Sequence, residues 1–404
     1  MSDVLTQASS AAQASPLAHA GEYERLLVIV PDRLSDLVRK GEVTERYYNP
    51  GNLFRDVHIL MTNDDRPDAA GLQPMVGDAR LHLHNLPAGR FATGWSRALL
   101  RGWVAQGLAL ARDIRPQLVR CHGASLNVHL AHEIDRALGV PYVVSLHTSY
   151  NYDDDITGRL RGILERLRLR AMRPLVQPAL RAAAKVLPVY RPIVPYLESL
   201  GVERFEVCYN VVAPELRMKD DYALHRPARV LSVGRQLPGK DPTQVIEAVA
   251  EIDGIELTLV GDGALHGALR ALVERRGLNA RVKFIPALAN ADLCARLADY
   301  DIFAVHSDYR EISKAVLEAL LTGLPVVINR RVTAPVPELT PDICMLVENT
   351  AAGYRAALRR LIADDRFREQ LGRNAGCSAR AKWHPAITES RYVDIYRDVL
   401  GKKQ

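Results

Sequence analysis

From Val230 onward the sequence alternates with a regularity that few folds accommodate. Short apolar runs begin near residues 230, 255, 282, 301 and 325, and an amphipathic stretch of helical length separates each from the next. Runs this short, too far apart for hairpins, predict parallel strands joined by helical crossovers. The expected product is an α/β, doubly wound sheet. Such sheets bind ligands at the carboxyl edge of their strands, where loops turn into helices.

Two of those loops carry the chemistry. The first is Val-Gly-Arg-Gln-Leu-Pro-Gly-Lys-Asp-Pro, Val233 to Pro242, after the strand Val230 to Val233. Asp241 reads as an N-cap and Pro242 as the first helical residue. The second is Asp308 to Ala319, after the strand Ile302 to Val305. Ser313 caps its helix, and Gly323 with Pro325 ends it. One sheet edge would then gather two helix N-termini with Arg235, Lys240 and Lys314. Amide donors, positive dipole ends and cations suit a diphosphate. Glu311 and Glu318 can instead accept hydrogen bonds from hydroxyl groups, as on a sugar or ribose. Phosphate donors beside hydroxyl acceptors point to a nucleotide-sugar site.

Further signals follow in order. Gly234-Arg235 is followed after four residues by Lys240. A Val-Gly-Asp-Gly turn spans Val260 to Gly263, and a Val-x-Phe strand Val282 to Phe284. Glu318-Ala319 precedes Gly323-Leu-Pro-Val326. Together, over about Val230 to Ile328, these motifs resemble the C-terminal half of the family 4 retaining glycosyltransferases, which have the GT-B fold. The resemblance implies two Rossmann-like doubly wound domains facing a central cleft. Residues 1–21 would be a disordered tail and 22–212 an acceptor-side domain. Residues 213–384 would form the nucleotide-sugar domain, and 385–404 a helix crossing back to the first.

The resemblance also assigns roles. Gly234, Arg235, Lys240, Gly261, Asp262, Gly263, Ser313 and Lys314 would surround the donor, and Glu318 would contact its ribose. Arg235 and Lys240 would stabilise the leaving diphosphate, and His147 would contact the transferred sugar. The family pattern places seven residues between two glutamates. Counting back from Glu318 lands on Arg310, with Glu311 one place later. The sugar contact thus falls to Glu311 or Arg310. No metal or other cofactor is implied, since fixed cations would neutralise the diphosphate, and no Asp-x-Asp pair is read as a metal site of the kind used by the other large glycosyltransferase fold. The leaving phosphate would take the acceptor's proton, so no protein base is assigned. The acceptor is a glycan, a lipid or a small molecule. Two other readings stay open. One is an inactive scaffold of the same fold, and the other a sugar-nucleotide epimerase, which needs carboxylates on both sides of the cleft.

The N-terminal half gives weaker signals. Strands are expected at Leu26–Val30, Val57–Met61, Leu118–Cys121, 141–146, Lys185–Val189 and Phe205–Tyr209, and helices at 32–41, 95–112, 125–138, 158–173 and 192–200. His147 and His122 both follow strand ends. The family's Gly-Gly pair after the first strand is missing, and Gly41 or Gly51 takes its place. The segment Tyr47 to Phe54 is either a packed surface loop or a substrate-facing one. Asn210-Val211 lies at the expected hinge, and 213–229 reads as the linker.

Composition bounds what remains. A chain of 404 residues, 48% hydrophobic and 25% charged, is an ordinary globular protein with room for two domains. Five scattered cysteines without a CxxC pair argue for a reducing compartment and against a thiolate metal site. No apolar run reaches the roughly 18 residues of a spanning helix, and the Ala/Ser-rich first twenty residues lack the features of a signal peptide. A cytoplasmic location is expected. Between Gly158 and Arg173, Leu160, Ile163, Leu164, Leu167 and Ala171 share one helical face, with six arginines over much of the rest. Such a helix either docks on its own sheet or lies on anionic lipid at the inner face of a membrane. No aromatic interleaving accompanies the arginines, which argues against nucleic acid.

Overall fold

The computed structural model describes residues 21–88, 97–147, 159–210, 212, 216–331 and 335–401, without the side chains of 159–169. The N-terminal lobe carries strands β1 (Tyr23–Val30), β2 (Phe54–Met61), β3 (Arg80–Asn85), β4 (Leu118–His122), β5 (Tyr142–Leu146) and β6 (Lys185–Pro188). Its helices are α1 (Leu34–Arg39), α2 (Ala69–Leu72), α3 (Arg97–Ile114), α4 (Leu126–Leu138), α5 (Arg159–Ala182) and α6 (Val194–Ser199). The C-terminal lobe carries β7 (Ala228–Val233), β8 (Ile255–Val260), β9 (Val282–Ile285), β10 (Ile302–Val305), β11 (Val326–Asn329) and β12 (Met345–Val347). Its helices are α7 (Thr243–Ala250), α8 (His266–Arg275), α9 (Asn290–Arg296), α10 (Lys314–Thr322), α11 (Ala351–Ala363) and α12 (Asp365–Trp383), and α13 (Pro385–Gly401) follows.

The sheets are ordered β3-β2-β1-β4-β5-β6 and β12-β11-β10-β7-β8-β9. Every strand pair is parallel. Numbered within its own lobe, each sheet reads 3-2-1-4-5-6, the Rossmann order. The central strands β1 and β10 are apolar on both faces because helices cover both. In β1, Leu27 and Ile29 enter one core while Leu26, Val28 and Val30 enter the other. In β10, Phe303 and Val305 part from Ile302 and Ala304 in the same way. This is the two-residue period of a strand. The helix α13 crosses to the N-terminal lobe, where Tyr392, Val393, Ile395, Tyr396 and Val399 join its core. Glu389 anchors the crossing, accepting from Arg46 Nε at 2.6 Å and from the Gly51 amide at 2.8 Å.

Several elements differ from the sequence expectation. The strand β3 falls between the strand expected at Val57–Met61 and the helix expected at 95–112, where no element is expected, because its Arg-Leu-His-Leu-His-Asn alternation is that of a half-covered edge. Its leucines pack inward while His82 and His84 stack beside His58 of β2. Phe205–Tyr209 is not a strand. Two alternate amides bond to β6, Glu206 N to Val186 O and Cys208 N to Pro188 O, and the chain then leaves for the hinge. The helix α5 runs past Arg173 through Pro174 and Pro178 to Ala182. Burial of Met172, Val176, Ala179 and Leu180 holds it where proline alone would break it. Ala171, expected on the apolar face, is exposed. The other four residues of that face, and with them the expected lipid contact, fall on side chains outside the described residues. So do the expected tail, apart from Gly21, and residue 211 of the hinge. Among the described residues no helix is long and apolar enough to cross a membrane.

Candidate functional site

The carboxyl edges of the two sheets face one another across a cavity of about 770 Å³. The C-terminal wall begins with the loop after β7. The side chain of Gln236, buried there, donates to Gly261 O at 2.8 Å and meets His266 Nδ1 at 2.8 Å, while its amide donates to Asp262 O at 2.9 Å. The Gly-Arg loop and the Gly-Asp-Gly turn are thereby laced together. A Cβ at Gly261 would stand 2.0 Å from Gly234 O, and one at Gly263 2.4 Å from Gln236 O. Glycine is required by this approach as well as by the positive φ of both residues. Asp262 accepts from the Gly263 amide at 2.7 Å, a turn role. Arg235 is left exposed on the cavity wall. Asp241 accepts from the amide and hydroxyl of Thr243 at 2.9 and 2.6 Å, with Pro242 as the cap residue rather than the first helical one.

The loop after β10 supplies the rest. Ser313 caps α10, accepting from the Val316 amide at 3.4 Å, and Gly323 ends the helix in the left-handed region. Lys314 reaches across the cleft and donates to Thr44 Oγ1 at 2.6 Å. Glu318 is 1% exposed. Its Oε1 accepts from Asn290 Nδ2 at 2.9 Å, with Lys314 Nζ at 4.0 Å. Burial pushes its carboxyl up, against the pull of Lys314 and the Asn290 hydrogen bond. Lys240 lines the cavity and forms an ion pair with Glu311.

The N-terminal wall carries Asp32, Arg39, Lys40 and Glu42 around α1, while its part at the ends of β4 and β5 is aromatic and uncharged. The rings of His122 and His147, at the ends of β4 and β5, stack 5.4 Å apart at 10°. Tyr47 Oη lies 3.3 Å from His147 Nε2. Behind them Arg120, 1% exposed, donates to Tyr47 O at 2.6 Å and lies over the rings of Tyr47 and Tyr392, 5.1 and 5.0 Å from their centroids. Burial, and then Arg120, push the His147 imidazole down to about 4. Burial, Arg120 and His147 hold His122 well below its ordinary value. Both rings are therefore neutral at pH 7 and can exchange hydrogen bonds with hydroxyl groups. Tyr47 and Tyr48 line the cavity, whereas Pro50 to Phe54 pack beneath α13, so the expected loop does both jobs.

Gly41 and Gly51 separate in the same way. A Cβ at Gly51 would touch Val393 at 2.7 Å, under α13. Gly41 lines the cavity with φ +68°, and its carbonyl accepts from the Asn290 amide at 2.9 Å, joining the lobes. A Cβ there would stand 2.6 Å from Ala289 Cα.

The structure thus gathers Gly234, Arg235, Lys240, Gly261, Asp262, Gly263, Ser313, Lys314, Glu318 and His147 around one cavity, and it leaves Arg310 and Glu311 off its wall. It adds residues the sequence reading missed. His306 directly follows β10, the same strand-end signal that marked His122 and His147. Its Nδ1 accepts from the Asp241 amide at 3.0 Å, so the ring hydrogen sits on Nε2, 2.9 Å from Asp308 Oδ1. Arg120, Gln236 and Asn290 act through partners distant in sequence and gave no local signal.

Comparison with known proteins agrees with this fold. The family described as Glycosyl transferases group 1 matches residues 217–376, and Glycosyltransferase Family 4 matches 55–216. The chain is 24% identical over 325 residues to alpha-D-kanosaminyltransferase of Streptomyces kanamyceticus, covering 76% of this chain and 83% of that one. It is 30% identical over 171 residues to the lipopolysaccharide core biosynthesis glycosyltransferase LpsE of Rhizobium meliloti, covering 42% and 49%. Among solved structures, sucrose-phosphate synthase of Thermosynechococcus elongatus superposes with TM-score 0.70 at 15% identity, covering 94% of this chain and all of that one. HepE of Anabaena, solved with UDP and glucose, superposes with TM-score 0.69 at 17% identity, covering 93% and 100%. At such identities the likeness establishes the fold, GT-B.

Proposed function

The chain belongs to the family 4 glycosyl transferases of group 1, and on that premise we propose that it moves a sugar from a nucleoside-diphosphate donor to an acceptor hydroxyl, with retention of anomeric configuration and without a metal ion or other cofactor. One observation carries the reading. A single cavity joins Arg235, Lys240 and Lys314 to the N-terminus of α10 and the buried carboxylate of Glu318. Three cations and a helix N-terminus suit a diphosphate, and a carboxylate at the same wall suits a ribose hydroxyl.

As the glycosidic bond breaks, negative charge grows on the leaving diphosphate. Arg235 and Lys240 interact with that charge most strongly in the transition state, which raises the rate. At about 4 Å each contact is worth roughly 4 kcal/mol at an effective dielectric near 20, against about 1 in bulk water. Closure of the lobes therefore adds to their effect. The acceptor hydroxyl attacks from the face the diphosphate leaves, and the leaving phosphate takes its proton. Neutral His147 and the Tyr47 hydroxyl offer hydrogen bonds to the sugar without adding charge. The acceptor is a glycan, lipid or small-molecule hydroxyl; the relatives acting in lipopolysaccharide core biosynthesis and kanosamine transfer support that range.

The test is a screen of UDP-, GDP- and ADP-sugars by thermal shift, followed by NMR of the anomeric proton of the sugar released on hydrolysis. One donor is expected to bind and be hydrolysed slowly, in EDTA as without it, giving the donor's own anomer first. Inversion would remove the retaining mechanism, and loss of turnover in EDTA the metal-free one. If no donor binds or is hydrolysed, the scaffold reading takes its place.

A further inference from the structure

Lys240 and Arg235 belong to one loop, yet the structure places them differently. Arg235 is exposed on the cavity wall. Lys240 is paired with the Glu311 carboxylate, the two side chains only 15% and 22% exposed, and its ammonium lies 5.2 Å from the Tyr309 ring centroid. Lys240 lines the cavity and Glu311 does not, so the carboxylate meets the ammonium from outside it.

The pair is held by both of its loops. Asp308 N donates to Gly239 O at 2.8 Å, and Asp241 N donates to His306 Nδ1 at 3.0 Å. On the far side Arg331 donates to Ser307 O at 2.6 Å and to Glu311 O at 2.9 Å. The backbones on either side of the ion pair are thus tied to each other and to β11. A carboxylate fixed in this way offers Lys240 what a phosphoryl oxygen offers, an anionic acceptor at contact distance. The short spacing between Glu311 and Glu318, with six residues between them instead of seven, fits a glutamate drawn back from the cavity.

We propose that Glu311 is an internal counter-anion of Lys240, a stand-in for the donor diphosphate that an incoming nucleotide must displace or share. The proposal rests on the donor-site reading and adds to it a competition within the protein. Lys240 is kept in place and neutralised while the cleft is empty, so stray anions gain less from entering. A donor gains the ammonium only against a carboxylate already there.

Calorimetric titration of bare nucleoside diphosphates tests this, because they carry the charge without the sugar. Wild type, Glu311→Gln and Glu311→Ala are each titrated with UDP, GDP and ADP, and with the nucleoside and the nucleotide-sugar of whichever one binds. Both variants are expected to bind that diphosphate about tenfold more tightly, roughly 1.4 kcal/mol, and the uncharged nucleoside no differently from wild type. Unchanged or weaker diphosphate binding in the two variants overturns the proposal. If they lose affinity for the nucleotide-sugar alone, Glu311 is a sugar contact instead. A wild type that binds no nucleoside diphosphate removes the donor site, and the inference with it, and is recognised by that result alone.

Discussion

The two lobes share a strand order and differ in what they mount on it. On the C-terminal edge, cations stand at loop tips: Arg235 exposed, Lys240 paired with Glu311, Lys314 reaching to Thr44. On the N-terminal edge, Asp32, Arg39, Lys40 and Glu42 line the cavity beside α1, but at the ends of β4 and β5 the charge is withdrawn. Arg120 is buried behind Tyr47 and among aromatic rings, and the imidazoles in front of it are held neutral. A buried guanidinium without a carboxylate is costly, and here a backbone carbonyl and ring faces offset part of that cost. The comparison teaches that topology fixes where a site lies, while loop side chains decide which half of the reaction each edge serves. On the proposed function, developing negative charge meets the C-terminal lobe, and the sugar meets the histidine and tyrosine edge of the N-terminal one.

The sharpest way to break that division is to remove one group from each edge. Arg235→Ala is expected to lower kcat by about 10² or more, since the lost contact acts mainly on transition-state charge. His147→Ala should cost less, roughly tenfold, because a neutral hydrogen bond to a sugar hydroxyl is worth less than a charge-assisted one. Steady-state kinetics on both variants measures the ratio. Equal losses would mean that the lobes are not divided by charge.

A smaller effect is expected where the lobes touch. Gly41→Ala places a Cβ 2.6 Å from Ala289 Cα, at a φ of +68° that L-residues disfavour. Its collision partner is backbone and cannot rotate away. Donor KM should rise about tenfold while the melting temperature falls by only a few degrees. Gly51→Ala, which collides instead with the Val393 side chain under α13, should lower melting temperature more than it raises KM. The reverse pattern would exchange the two glycines' roles.

How much of this was legible differs between the lobes for a physical reason. In the C-terminal lobe the phosphate loops are contiguous, so Gly234, Arg235, Lys240, Ser313 and Lys314 could be read from short motifs with cap and strand signals around them. In the N-terminal lobe the site is assembled from strand ends. His147 could be placed because it follows an obvious strand, but its partner Tyr47 comes from a loop a hundred residues earlier. The strand β3 was missed because its outward histidines break an apolar run. Glu311 illustrates a second limit. A spacing motif locates a residue along the chain to within one place, and that one place separates a carboxylate in the cavity from one that pairs with Lys240 outside it. Asn290 and Arg331 are invisible to any local pattern, since each acts on a loop from another part of the sheet.

The smallest expected effect separates the lobes by acid. Burial depresses His147 to about 4 and His122 well below 6.5, with Arg120 adding to both. An unfolded chain binds protons at these positions near 6.5 while the folded one does not, so folding stability rises with pH across that interval. The stability is fully present above about pH 6.5 and is lost as pH falls from there toward 4. By pH 6 each such group costs on the order of 1 kcal/mol. Glu318 has the opposite sign. Its folded value is raised, so the strain of keeping it charged is present at neutral pH and is relieved as pH falls toward the ordinary carboxyl range. Hydrogen exchange at pH 7.5 and pH 6, corrected for intrinsic rate, should therefore show β4 and β5 losing protection while β7 and β10 keep theirs. Uniform loss across both sheets would mean that the two edges respond to acid as one unit, and that the neutral imidazole wall is not a local property of the N-terminal lobe.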